Sequence, residues 1–324
     1  MKQLSRYVSL VWLLVLLLLS VCAEILPLPY APDTPDLDAI AAAPFSGAHW
    51  LGTDSAGRDV LAGLIFGART ALLISLPATI VSALLGTFLG SIAGYWGNQR
   101  LRLSAVVMVT LGLLGLAVAV LNASLGVYLS IGAVAFGGLV VVRRISGKLS
   151  TTHPVPLDAA VLLLIALLTA IPRLVLVLAL AAVQPPSAPM LLITLALIYW
   201  PSTAQLARAE MQRIRQLPYM EAARALGLRD WQLILRHALP AVWKVVGAAL
   251  PLSVATLIGL ETTLSFLGVG LPPQTASWGR TLASARQEPT AWWLIVMPGT
   301  VLVCTMLALR QLALTSIKKE KRGE

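Results

Sequence analysis

Cysteine, histidine and charge are all scarce in this chain of 324 residues. It has two Cys and three His. Cys22 and Cys304 both sit in apolar runs, so no disulfide framework and no Cys/His metal cluster follows from them. Charged residues make up 12% of the chain, about half of the ~25% typical of a soluble domain. A phosphate loop is missing as well. Gly147-Lys148 is the nearest approach to one, but Val142 stands where the first Gly is required and Leu149 where Ser or Thr must follow. Nucleotide binding by that route is excluded. His49 and Asp54 lack companions for a ligand set, so no metal site is expected. Asp54 and Asp59 suit caps and hydrogen bonds within a loop better.

Apolar surface is what the chain has in excess. Hydrophobic residues reach 58% and the mean hydropathy is +0.84. One soluble core cannot hide that much, which makes the chain an integral membrane protein. Its net charge of +10 does not imply nucleic acid, because the basic residues fall in short loops and at both ends. A helix needs roughly 20 apolar residues to cross a bilayer. Runs over 8–26, 70–95, 104–121, 125–142, 158–183, 190–206, 243–267 and 292–314 meet that need. The expected fold is an all-α polytopic bundle of about eight transmembrane helices. The first run, after Lys2 and Arg6, reads either as a cleaved signal or as an uncleaved helix, and the uncleaved helix is preferred. The third and fourth, broken at Asn122-Ala123-Ser124, read as a hairpin, with one re-entrant element as the alternative.

Charge sets the orientation. Of the 24 Lys and Arg, only Arg58, Arg69, Arg280 and Arg286 fall in outer segments, and Arg173 lies within a span. The others flank the spans on the opposite face, so both termini are expected in the cytoplasm. Most tryptophans, Trp50, Trp96, Trp200, Trp243, Trp278, Trp292 and Trp293 among them, sit at span ends and read as interfacial anchors.

Residues 207–242 are the polar exception between two apolar runs. Ala222, Ala223 and Ala225 favour a short helix and leave it a close-packing surface. Gly227 can end that helix, Asp230 can cap a second turn, and Pro240 marks the start of the next span. Two short helices at an angle would result, suited either to docking a partner or to anchoring at the interface. Within the spans, Arg173 follows Pro172, and Glu261 lies late in its run. Ionisable groups at membrane depth are costly, so both are candidates for the translocation path, with a structural ion pair or a snorkelling side chain as the alternative.

The order Glu221-Ala222-Ala223, Gly227, Ile234, Leu239-Pro240 resembles the EAA signature of ABC importer permeases. Two further segments resemble the second permease subunit of the dipeptide, oligopeptide and nickel importers. One is His49-Trp50-Leu51-Gly52-Thr53-Asp54 with Gly57-Arg58-Asp59-Val60, running on to Gly67-Ala68-Arg69. The other is Leu264-Ser265-Phe266-Leu267-Gly268 with Pro272-Pro273 and Ser277-Trp278-Gly279. The matches cover 49–97 and 158–314. Trp50 replaces the usual Pro, Glu261-Thr262-Thr263 replaces Glu-Ala-Ser, and 101–157 has no counterpart in a six-span plan.

The resemblance implies a type I importer permease with this layout: a first helix and external loop (1–69), a core helix (70–100), an inserted hairpin (101–157), a core permease domain (158–314) and a basic tail (315–324). It implies ATPase coupling through Glu221, Ala222, Ala223, Gly227, Leu239 and Pro240, and an external motif of Gly52, Thr53, Asp54, Gly57, Arg58 and Asp59. Implied partners are a second permease, two cytoplasmic ATPases and an external solute-binding protein in a bacterial inner membrane. No cofactor is expected on this chain, and ATP and Mg would sit in the ATPases. Short peptides are the implied substrate, with nickel or another small solute as alternatives. An ion-coupled secondary transporter using Glu261 and Arg173 is the competing reading.

Overall fold

The computed structural model describes residues 2–46, 49–98, 102–104, 152–154, 156–183 and 185–321. The chain forms two compact units, one of Met1–Ser91 with Ile165–Glu324 and one of Ile92–Leu164. The elements in order are α1 (Lys2–Val21), α2 (Val60–Trp96), β1 (Arg102–Ser104), β2 (Thr152–Pro154), α3 (Leu157–Ala170), α4 (Arg173–Val183), α5 (Ala188–Arg215), α6 (Pro218–Ala225), α7 (Asp230–Phe266), α8 (Trp278–Ser284) and α9 (Trp293–Lys321). The two strands pair antiparallel, Leu103 opposite His153, within the smaller unit. The spans expected at 104–121 and 125–142 lie outside the described residues.

Four helices among the described residues are long and apolar enough to span a membrane: Val60–Trp96, Ala188–Arg215, Asp230–Phe266 and the Trp293–Ser316 part of α9. Their outward faces stay greasy, with Leu73, Leu84 and Phe88 of α2 more than half exposed. That pattern suits lipid as the solvent.

Three of the expected spans take a different form. The first ends at Val21 rather than 26, and its apolar stretch is Ser5–Val21. Pro27 and Pro29 follow closely, and proline disfavours helix in the residue before it. The span expected at 158–183 is two helices, α3 and α4, bent by 82°. Pro172 has no N–H and its ring crowds the preceding turn, so the helix breaks there. The span expected at 243–267 begins at Asp230. Leu233–Ala238 is a π-helical segment that runs straight on into Leu239–Phe266. Pro240 cannot donate to Arg236 and would strike its carbonyl, and the wider π turn relieves both faults.

Two cores hold the larger unit together. One joins Leu16 of α1, Leu64 and Ala68 of α2, Ile258 of α7, Trp278 of α8 and Leu294 of α9. The other joins Ile74 and Ala78 of α2, Val177 of α4, Leu195 and Tyr199 of α5 and Leu257 of α7. α2 and α5 come into close contact at Gly86 and Gly90. A Cβ on Gly90 would lie 2.2 Å from the Ala204 carbonyl oxygen, a separation that only glycine permits. Small residues at i and i+4 let membrane helices approach in this way.

Candidate functional site: a polar element, a loop clamp and an arginine at a helix break

The polar segment is built on a rod. α5 is 28 residues long, roughly 42 Å at 1.5 Å per residue, so it overshoots a ~30 Å hydrocarbon layer. Its last turns carry Glu210 and Arg213, paired at 2.5 Å. Pro218 then opens α6 at its first position, where a missing N–H costs nothing. Met220 is fully buried, as are Met211 and Ile214 of α5 and Leu233 of α7. α6 packs on the π-helical segment, so its orientation follows α7.

Gly227 closes α6. Its φ is +85°; its N–H bonds the Arg224 carbonyl at 3.0 Å, and Leu228 N–H bonds the Ala223 carbonyl at 3.3 Å. These two bonds define a Schellman motif, which needs a left-handed residue at this position. The Arg229 N–H then donates to Gln232 Oε1 at 2.9 Å and starts α7. The second expected short helix is therefore the first part of α7. Of the EAA residues, Glu221, Ala222, Gly227 and Pro240 are exposed, and Ala223 and Leu239 are half-buried. Leu226 is 82% exposed, and Tyr219, Trp231 and Leu235 also stand out from the surface.

The external motif forms a clamp at the head of α2. Thr53 and Asp59 make an isolated β-bridge. Asp54 Oδ1 accepts from Ala56 N–H at 2.8 Å and Arg58 N–H at 2.9 Å. Asp59 Oδ2 accepts from Ala62 N–H at 2.8 Å and so caps α2, while its Oδ1 lies 2.9 Å from His49 Nδ1. Gly52 and Gly57 both have a φ of +80°, the turn geometry the motif needs. Arg58 reaches across to the Pro273 carbonyl at 3.4 Å. Arg280 donates to the carbonyls of Pro272 at 2.7 Å and Thr275 at 2.8 Å. Burial, with Arg58 nearby, lowers the Arg280 pKa below its ordinary value, and Glu261 acts in the opposite sense.

Two tryptophans tie this clamp to the bundle. Trp278 Nε1 donates to Leu64 O at 2.9 Å, and Trp293 Nε1 donates to Thr53 O at 3.0 Å. Both are buried, as is Trp200. These three are core residues rather than interfacial anchors, because each large ring fills a helix contact.

The two in-membrane charges do not meet. Glu261 is 1% exposed and accepts from Ser265 Oγ at 2.8 Å and Thr262 Oγ1 at 3.4 Å. Arg173 sits at the break before α4. Its Nη2 donates to Ser202 Oγ at 2.9 Å, and its guanidinium carbon lies 5.7 Å from the Tyr199 ring centre.

Long apolar helices, a polar element carried on their ends and an external clamp together define a polytopic membrane transport component. The family model described as binding-protein-dependent transport system inner membrane component matches residues 145–317. A Brucella suis protein with the provisional name of peptide permease is 30% identical over 92% of this chain and 80% of its own. A permease protein of a peptidoglycan transport system in Agrobacterium fabrum is 29% identical over 76% of this chain and 50% of its own. A Brucella suis permease provisionally named for a peptide transport system is 29% identical over 81% of this chain. The chain belongs to the binding-protein-dependent transport inner membrane component family. It is the permease of an ABC importer, a multi-pass membrane subunit that works with a solute-binding protein and ATPases and is not itself an enzyme. Membership in that family disfavours the ion-coupled secondary transporter.

Proposed function

We propose that this permease carries short peptides inward across a bacterial inner membrane, with both termini in the cytoplasm. The names of its relatives support peptides over nickel. It pairs with a second permease, two cytoplasmic ATPases and an external binding protein. ATP and Mg belong to the ATPases, and this chain holds no cofactor.

The observation that carries the mechanism is the exposed face of α6 and early α7. Glu221 is exposed in α6, and Tyr219, Leu226, Trp231 and Leu235 of the same chain segment are large apolar side chains that are also exposed. Exposed apolar side chains on a polar segment fit a partner's groove. Because α7 is continuous from Asp230 to Phe266, a push on its start moves the segment that ends at Glu261 and the external clamp. Glu221, Ala222, Ala223, Gly227, Leu239 and Pro240 form the coupling surface. Arg173 lines the path. Glu261, hydrogen-bonded within α7, holds the outer end of that helix. Gly52, Thr53, Asp54, Gly57, Arg58 and Asp59 brace the outer mouth.

Purification of the tagged chain from its native membrane in mild detergent tests the coupling surface. ATPase subunits should accompany the parent chain and be lost from the Glu221→Arg, Gly227→Pro double variant. Recovery of the parent chain alone, still moving solute down a gradient, would sink the proposal.

A further inference from the structure

We propose that Arg173, with Ser202 and Ser253, forms a subsite for the terminal carboxylate of the transported peptide, an inference that rests on the peptide-permease reading above. Arg173 is the first residue of α4, placed by the break at Pro172. It makes no ion pair with any described residue. Glu261, also within a span, is already engaged by Ser265 and Thr262. A guanidinium cannot shed its proton, so at membrane depth it calls for an anion.

The groups it touches belong to a cavity. Tyr199 and Ser202 of α5 line a space of about 100 Å³ between α5 and α7, together with Thr203, Leu206, Leu250 and Ser253. One wall is fixed by the Gly86 and Gly90 contact with Thr203 and Ala204. A space of this size admits several water-sized groups, enough for a carboxylate with its neighbouring carbon. The carboxylate end is common to all peptides, which suits a path that passes many sequences.

Arg173 spends one donor on Ser202 and presents the rest of its fork, whose geometry matches a carboxylate. Ser253 lines the same cavity from α7 as Ser202 does from α5, and its hydroxyl makes a long 3.4 Å hydrogen bond to Ala249 O. The α4 N-terminus adds a favourable dipole.

The test uses the complete importer in proteoliposomes, with its binding protein. Initial uptake of a tripeptide with a free carboxylate is compared with uptake of its C-terminal amide. The same binding protein serves every variant, so its own preference cancels. Arg173→Gln should lower acid uptake about tenfold more than it lowers amide uptake. Ser253→Ala, which disturbs little packing, should reduce the acid-to-amide preference about threefold, and this keeps the idea testable if the arginine variant fails to assemble. Equal losses for both forms, or an unchanged preference in Ser253→Ala, would overturn the subsite and leave the peptide reading standing. If the parent complex moves neither form, the peptide reading falls and takes the subsite with it.

Discussion

Asp59 serves two structures with its two carboxylate oxygens. One caps α2 through Ala62, and the other holds the buried His49. Losing a cap costs about 1 kcal/mol, and leaving the buried Nδ1 of His49 unpaired costs about 1–3 kcal/mol more, although Nε2 keeps its 3.3 Å contact with Asp36. Asp59→Ala should therefore lower the thermal midpoint of the detergent-purified permease by several degrees. Asp59→Asn retains the capping oxygen and should lose about half as much. Equal midpoints for the two variants would contradict the double role. The carboxylate's importance was legible in the motif, but His49 as its partner was not, because a single His in a loop carries no spacing signal. The same limit hid Trp278 and Trp293. A tryptophan near a span end looks like an anchor until the opposing backbone carbonyl is known.

Among elements, the apolar runs of α2, α5, α7 and α9 were readable because lipid demands length and hydrophobicity and little else. Their ends were less readable. A charged side chain does not stop a helix that has left the bilayer, so α5 continues past 206 to Arg215. Proline marked both irregularities, but its effect depends on surroundings. Pro172 breaks a span into α3 and α4, whereas Pro240 is absorbed by a π turn. Gly227 was legible in its role, and its geometry allows a sharp test. A Cβ there meets nothing within 4 Å, so substitution acts through backbone strain alone. A left-handed residue other than glycine or asparagine costs about 1–2 kcal/mol. Gly227→Ala should reduce ATP-driven uptake about fivefold, while Gly227→Asn should stay within about twofold of the parent. Parent-level uptake in Gly227→Ala would show that the closure of α6 does not limit coupling.

At the scale of the whole molecule, the distribution of charge predicts which face meets the ATPases. Arg208, Arg213, Arg215, Arg224, Arg229, Arg236 and Lys244 crowd the segment that holds α6, and Lys318, Lys319, Lys321 and Arg322 end the chain. Loops rich in Lys and Arg remain on the cytoplasmic side, which predicts that the Asp54–Asp59 clamp lies outside. Two exposed positions report the two faces, Ser46 in the external loop and Leu226 at 82% exposure beside the coupling helix. With Cys22 and Cys304 replaced by Ala, a single Cys at position 46 should react with a membrane-impermeant maleimide in intact spheroplasts. A single Cys at position 226 should react only after the membrane is opened. The opposite pattern would place the coupling element outside, where no ATPase could reach it, and the charge argument and the mechanism built on α6 would fail together.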